Sequence, residues 1–227
     1  MTENKFEKYE KTYWKLWNKD RKIVSLIDEK KPDLSILDLG CGFGKLDYHF
    51  KKRGAYVFGV EQNEERVKVA ELVVDELYKG SFLENEFLNK LTKKFDYILF
   101  IDVLEHQTEP EKILKIFESK LKPNGYFIMS VPNIAYWTMR LKLLFGKWEY
   151  EEVGMLNYTH YRFYTADSLK KFIKNHGYEL INFFIIKDDS KFFLRKFIVS
   201  ILFFFFPRLF GNSLLSVFKP LQEPIGK

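Results

Sequence analysis

Two carboxylates, a run of glycines and two histidines are the residues whose types and spacing suit chemistry. Asp38 stands two residues before Gly40, and glycine recurs at Gly40, Gly42 and Gly44 around Cys41 and Phe43. Glycine reaches positive φ and lets a ligand lie against bare backbone. Glu61 follows 21 residues after Gly40, near the spacing at which a carboxylate ending a second strand accepts from ribose hydroxyls. His106 and His160 carry imidazoles that titrate near neutral pH and suit general-base work on a hydroxyl. Blander readings stand beside these. The loop could be an empty strand–helix turn, His106 a helix-start histidine bonded to nearby backbone, and His160 a loop residue packed beside Tyr161 and Phe163. The loop and Glu61 support each other against the empty turn.

The spacing G-x-G-x-G differs from the G-x-G-x-x-G of dinucleotide binders. Asp38 would repel a pyrophosphate and attract a cation. S-adenosylmethionine has no phosphate and carries a sulfonium and an ammonium, so the stretch fits it better than NAD. Cys41 is the only cysteine, which excludes an internal disulfide and a zinc cluster. It reads as a small residue of the loop, and no metal site is expected.

The elements that must position these residues alternate. Ile36–Leu39 reads as a buried strand and Lys45–Arg53 as a helix. Ala55–Val60 is a second strand ending at Glu61, followed by an amphipathic helix over 64–75. Glu76–Lys79 is a short third strand running into Gly80-Ser81-Phe82, and 83–94 is helical. Phe95–Ile101 is a near-continuous apolar run of the kind central parallel strands show, ending in Asp102 and His106. Pro110 opens a helix to Leu121, and Tyr126–Val131 is a fifth strand. This βα alternation makes a parallel sheet with helices on both faces, and ligands of such sheets bind beyond the carboxyl ends of the strands. Gly40–Gly44, Glu61, Gly80–Phe82, Asp102–His106 and Pro132–Asn133 all stand at such ends. Helices at 135–145 and 165–175, a sixth strand over Tyr178–Ile186 and an antiparallel edge strand over Leu214–Phe218 complete the series.

With 227 residues, 46% of them hydrophobic, the chain suits one α/β domain (34–227) behind a helical leader (1–33). The leader's aromatic face either packs on the domain or also covers the ligand mouth. A net charge of +6 fits a solvated surface, an anionic substrate or a membrane face, and the interleaved acids give no nucleic-acid signature. The charged N-terminus shows no signal peptide, so a cytoplasmic setting is expected. His49 and His176 read as surface residues. Arg162 could hold an anionic substrate group or pair with Asp167 or Glu152. Residues 192–206 form a hydrophobic helix inserted before the last strand. Its ten-residue stretch without a charge, Phe197–Phe206, reaches about 15 Å as a helix, too short to span a bilayer. Three readings stand for it: buried packing or a homodimer contact, peripheral membrane contact through 192–210 on the inner face, or a lid over a greasy substrate.

Taken together, Ile36–Gly44, Val57–Glu61, Phe95–His106 and Leu121–Tyr126 resemble the motifs of the class I S-adenosylmethionine-dependent methyltransferases. Val131–Trp137, Gly154–Tyr164 and Pro207–Phe210 look like the branch found with polysaccharide and cell-envelope glycan biosynthesis, and are also similar to a methyltransferase-like protein linked to methionine biosynthesis. The resemblance implies a Rossmann-like α/β fold with a mostly parallel seven-stranded sheet and an antiparallel last strand. It implies that S-adenosylmethionine is held by the Gly40–Gly44 backbone around Cys41, with Asp38 orienting the loop or the amino group. Glu61 would hold the ribose, Gln62, Ser81 and Phe82 would border adenine, and Ile101 and Asp102 would line the pocket floor. Ser81 departs from the pattern, since the family usually has an acid there. The implied activity is O-methylation of a sugar or lipid-linked precursor, a small-molecule or glycan acceptor. The alternative is a non-catalytic S-adenosylmethionine-binding partner of the methionine-linked type.

Overall fold

The computed structural model describes residues 9–28, 31–187 and 200–221. Seven strands form one sheet: β1 (Ser35–Leu39), β2 (Tyr56–Glu61), β3 (Glu76–Lys79), β4 (Phe95–Ile101), β5 (Leu121–Pro132), β6 (Tyr178–Lys187) and β7 (Gly211–Pro220). Their order is β3-β2-β1-β4-β5-β7-β6. β2 and β4 flank β1 in parallel, β3 is parallel to β2, and β6 and β7 are antiparallel. This is the expected Rossmann-like sheet. The chain gathers into two units, Met1–Ile101 with Ile116–Ile128, and Asp102–Lys115 with Met129–Lys227.

In the first unit every residue of β1 is buried, as a central parallel strand requires. Its start is fixed by a buried carboxylate on β4. Ser35 donates to Asp96 Oδ2 through its backbone N–H at 2.8 Å and its hydroxyl at 2.9 Å, and Lys122 and Lys31 reach the same carboxylate at 2.8 and 2.7 Å. Burial pushes the Asp96 carboxyl up, but the two lysines and Ser35 outweigh it and hold the carboxyl at about 2. Helices α1 (Asn18–Leu26), α2 (Lys45–Lys51), α3 (Glu64–Ala70) and α4 (Asn85–Lys90) belong to this unit.

The leader is less helical than its periodicity predicts. A helical turn at 9–12 and α1 are separated by Trp17 in extended backbone (φ −94°, ψ 178°). The Trp17 N–H donates to Asp20 Oδ2 at 3.0 Å, which starts a new helix rather than continuing the first. Trp14 is buried against Tyr48 and Val69, with Tyr13 and Phe43 stacked beside it. The helices at 64–75 and 83–94 also contract, to α3 and α4. Asn63 caps α3, its side chain accepting from Glu65 and Arg66 N–H at 3.1 Å.

The second unit holds α6 (Trp137–Leu144), α7 (Ala166–Asn175), the short α8 (Pro207–Phe210) and the β6–β7 pair; helix α5 (Pro110–Glu118) precedes β5. The last strand is longer than expected and is not an edge: β7 lies between β5 and β6, and β6 is the edge. Leu214, Leu215, Val217 and Phe218 are buried, whereas Glu179, Ile181 and Asn182 of β6 are exposed. A run that is apolar on both faces belongs inside a sheet. Asn133, fully buried, joins the end of β5 to the start of β7 by donating to Gly211 O at 2.8 Å and Arg208 O at 3.2 Å.

Of the hydrophobic helix, residues 192–199 lie outside the described residues. Residues 200–205 are helical, and Phe204, Phe205 and Phe206 are exposed at 79, 66 and 58%, so this part is not buried within the chain. No helix among the described residues is long and apolar enough to cross a membrane.

Candidate functional site

In the first unit the glycine loop and Glu61 come together. Gly40, Gly42 and Gly44 have φ of 81°, 61° and 71°, the left-handed region where a side chain costs about 1–2 kcal/mol per residue. Gly44 is also sterically required, because a Cβ there would stand 2.5 Å from Val73 Cγ2 and 3.2 Å from Ala70 Cα. Gly40 and Cys41 donate to Val60 O at 2.8 and 3.0 Å, which pins the loop to the end of β2. Glu61, 5% exposed, completes the clasp. Its Oε2 accepts from Gly42 N at 3.0 Å, and its Oε1 accepts from Gln62 N at 2.9 Å and Asn63 N at 2.8 Å. The 21-residue spacing finds this carboxylate; its part in holding the loop shape is visible only in the fold.

Beneath the loop Asp38 has a neighbour, Asp47, that the sequence reading missed. Asp38 on β1 and Asp47 on the first turn of α2 are 2 and 0% exposed. Burial, then the nearby Glu61 charge, raises the Asp38 carboxyl to about 7 against the lowering effect of Asp47. Burial and Asp38 push the Asp47 carboxyl well up. Burial, followed by Asp47, Asp38 and Glu61, also pushes the Cys41 thiol up, so Cys41 is an inert packed thiol. Asp47 stands three residues after Gly44, and no sequence signal distinguishes it from an exposed acid on a helix turn.

At the end of β3, Gly80 N donates to Glu61 O at 3.0 Å, which brings the Gly80–Phe82 turn to the Glu61 clasp. The Ser81 hydroxyl accepts from Leu83 N at 3.2 Å, and Ser81 N donates to Glu84 Oε1 at 2.8 Å. Glu84 curls back onto the same turn and also accepts from Tyr78 Oη at 2.6 Å. Phe82 sets its ring edge-on to Phe117 at 6.1 Å. Gln62 is exposed, and Ile101 is half-buried at the end of β4.

In the second unit Asp102 adopts φ 55°, unusual for a residue other than glycine. It is held by Ser130, whose hydroxyl donates to Asp102 Oδ1 at 2.8 Å while Ser130 O accepts from Asp102 N at 3.1 Å. His106 and His160 come together, ring centroids 4.6 Å apart at 70°. His160 Nδ1 contacts Met155 O at 3.0 Å, so it must carry the hydrogen. His106 Nδ1 meets Thr159 Oγ1 at 2.8 Å and Thr159 O at 3.2 Å. Because Thr159 Oγ1 spends its own hydrogen on Asn157 Oδ1 at 2.6 Å, His106 Nδ1 is the donor there too. In the neutral tautomer that these contacts fix, each ring carries its lone pair on Nε2. Burial, and next the neighbouring His160, hold His106 below its ordinary value, which favours the neutral, proton-accepting form.

Glu105, buried, offers a carboxylate oxygen within 4.8 Å of ligand atoms of both histidines. That trio fits proton transfer and is also compact enough for a cation, a possibility the sequence reading did not consider. Arg162 takes neither partner expected of it: its Nε and Nη2 both donate to Thr108 O, while Asp167 pairs with Arg208 at 3.0 Å. His49 is half-buried, with Nε2 2.8 Å from Trp14 O, rather than a surface residue; His176 is exposed.

A methyltransferase-domain family model matches residues 6–182. Among curated proteins, the chain is 32% identical over 162 residues to the ubiquinone biosynthesis O-methyltransferase of Histophilus somni, covering 62% of this chain and 66% of that protein. It is 25% identical over 195 residues to the mitochondrial ubiquinone biosynthesis O-methyltransferase of Schizosaccharomyces pombe, covering 76 and 70%. The chain thus spans about two-thirds of the length of these curated relatives. Among solved structures, an S-adenosylmethionine-dependent methyltransferase from Archaeoglobus fulgidus has the same fold, with a TM-score of 0.63 and 20% identity over 95% of this chain and 99% of that one. So does the magnesium protoporphyrin IX methyltransferase of Synechocystis with bound S-adenosylhomocysteine, with a TM-score of 0.61 and 16% identity over 95 and 94%. The family match extends over more than half of the chain and includes the glycine loop, Glu61 and both histidines, so the chain belongs to the methyltransferase-domain family of class I S-adenosylmethionine-dependent enzymes.

Proposed function

We propose that the chain transfers a methyl group from S-adenosylmethionine to a hydroxyl oxygen of a small-molecule acceptor. The observation that carries the oxygen acceptor is the pair of imidazoles with both Nδ1 atoms engaged and both lone pairs on Nε2. The buried, donor-poor carboxyls under the loop suit a cationic ligand and not a phosphate. When bound, S-adenosylmethionine supplies a methyl on a good leaving group, so the protein's main task is positioning. On this reading the Gly40–Gly44 backbone and Asp38 take the methionine end and Glu61 uses its remaining lone pairs for the ribose. Gln62, Ser81 and Phe82 border adenine, Ile101 and Asp102 contribute to the pocket floor, and His106 or His160 receives the hydroxyl proton on Nε2.

The acceptor we favour is a hydroxyl on a lipid-linked precursor. The sequence resemblance of 131–137 and 154–164 to the glycan branch points to a sugar hydroxyl, a branch to which the curated relatives reported above lend no support. The curated relatives, named for ubiquinone biosynthesis, support a second reading in which the hydroxyl belongs to a ubiquinone precursor. A methyl-transfer assay with labelled S-adenosylmethionine and both acceptor types decides between them. In that assay His106→Gln and His160→Gln should lower turnover by about 10²-fold and leave S-adenosylhomocysteine affinity nearly unchanged. Normal turnover in both variants would remove the base assignment. Binding of S-adenosylmethionine with no transfer to any acceptor would favour the non-catalytic partner reading.

Peripheral contact with the inner face of the membrane belongs to the same proposal, supported by the exposed Phe204, Phe205 and Phe206. Anionic vesicles should co-sediment the wild type more than a Phe204→Ser/Phe205→Ser variant. Equal partitioning, with a concentration-dependent dimer seen by light scattering, would assign these phenylalanines to a second copy of the chain instead.

A further inference from the structure

We propose that Glu105, His106 and His160 form a two-histidine, one-carboxylate site for a divalent transition-metal ion, and that the acceptor hydroxyl binds at an open position of that ion. This goes beyond direct proton transfer to the histidine pair. It rests on the methyl-transfer reading for the ion's role and not for its binding. One ligand atom from each of the three residues lies within 4.8 Å of the others. Binding needs only a contraction to the roughly 3–3.5 Å that separates neighbouring ligands around an ion with bonds of about 2.0–2.2 Å. His106 is half-buried, so the trio is open to solvent on that side, where an ion can enter and an oxygen ligand can complete its shell.

The trio is held together by backbone and not by a chance meeting of side chains. Tyr161 N and Arg162 N both donate to Glu105 O, at 2.9 and 3.1 Å. Those bonds fasten the loop that carries His160 to the turn that carries Glu105 and His106. Each ring is also fixed from behind. His160 Nδ1 donates to Met155 O at 3.0 Å and His106 Nδ1 to Thr159 Oγ1 at 2.8 Å, and Thr159 Oγ1 donates in turn to Asn157 Oδ1 at 2.6 Å. Metal-ligating histidines almost always spend their other ring N–H on such an oxygen, which sets the tautomer and the ring orientation. Nε2 of both rings is then the metal-binding atom. A general base needs one such ring; two of them beside a carboxylate make the donor set of an ion with open positions. Imidazoles suit a borderline ion such as Zn²⁺, whereas Mg²⁺ and Ca²⁺ take shells of oxygen. The ion's charge favours loss of the hydroxyl proton to water. The oxygen then forms the new C–O bond with the cofactor's methyl, and the C–S electron pair stays on sulfur. In the loaded protein the ion thus does the task of direct proton transfer, because both Nε2 lone pairs are bound to it.

The test is titration of the full, chelator-stripped chain with Co²⁺, followed by its visible d–d absorption, with folding checked by circular dichroism. Wild type should take up one ion per chain, displaced by Zn²⁺ and not by Mg²⁺. His106→Gln and His160→Gln should each weaken Co²⁺ binding by at least about 100-fold, the upper end of what losing an outer-shell partner costs. Glu105→Gln should do likewise if it folds. His176→Gln, at an exposed helix end, should bind as wild type does. In the methyl-transfer assay, stripped wild type should lose turnover and regain it with Zn²⁺ or Co²⁺. No stoichiometric uptake by folded wild type, or uptake unaltered in both His106→Gln and His160→Gln, would overturn the site. Full turnover after stripping would overturn the ion's role and leave the histidines to act as the base. The Co²⁺ spectrum needs neither cofactor nor acceptor, so failure of the methyl-transfer reading would show separately, as ion binding without transfer to either acceptor type.

Discussion

Trp14→Ala is expected to destabilise the protein by about 3–5 kcal/mol, the usual range for truncating a fully buried aromatic. Trp14 is 1% exposed and stacks on Tyr48 with ring centroids 4.5 Å apart at 16°. Its indole N–H donates to Phe43 O at 3.0 Å. Alanine would leave a cavity lined by Tyr48, Val69 and Val73 and remove the donor from a carbonyl inside the glycine loop. The second loss ties stability to function, because Phe43 sits between Gly42 and Gly44. Cofactor affinity should therefore fall together with the urea midpoint. Trp14→Phe keeps most of the stacking area and loses only the N–H bond, so it should recover most of the stability and less of the affinity. An alanine variant within about 1 kcal/mol of wild type would show that the leader merely rests on the domain, since one net hydrogen bond alone is worth that much.

Glu61→Ala should weaken S-adenosylhomocysteine binding by at least tenfold, about 1.5–3 kcal/mol for a lost charged hydrogen bond, and should lower stability as well. The side chain accepts from three backbone N–H groups, those of Gly42, Gln62 and Asn63, and none of them gains a protein partner when it is cut back. Glu61→Gln is not a conservative rescue. Its amide offers one acceptor oxygen where the carboxylate offers two, so an –NH2 would face either the Gly42 N–H or the Gln62 and Asn63 pair, donor against donor. Both variants should thus lose affinity, glutamine less than alanine. Calorimetry and urea unfolding on the same samples separate the two effects. Unaltered affinity in both would mean that neither the loop shape nor the ribose depends on this carboxylate.

The residues that were legible in the sequence are those whose role is set by local backbone geometry. Gly40, Gly42 and Gly44 need left-handed φ, and that need shows in the residue type itself. Glu61 was found because a strand–helix–strand unit of normal length fixes where the second strand ends. Asp47 was not, because being acidic on a helix turn says nothing about burial. Only the packing of α2 against the sheet removes its water and makes it a neighbour of Asp38.

The same division runs through the rest of the chain. The alternation of apolar runs with amphipathic segments determined the strands, their parallel arrangement and the family, because period and turn chemistry are encoded within a dozen residues. Tertiary structure alone decided that β7 inserts beside β6 instead of ending the sheet, that His106 meets His160 across more than fifty residues of chain, and that Arg162 grips a backbone carbonyl instead of an acid. Those outcomes depend on which distant surfaces are buried against each other, and the free energy of that burial belongs to pairs of segments that the linear pattern of either one does not specify.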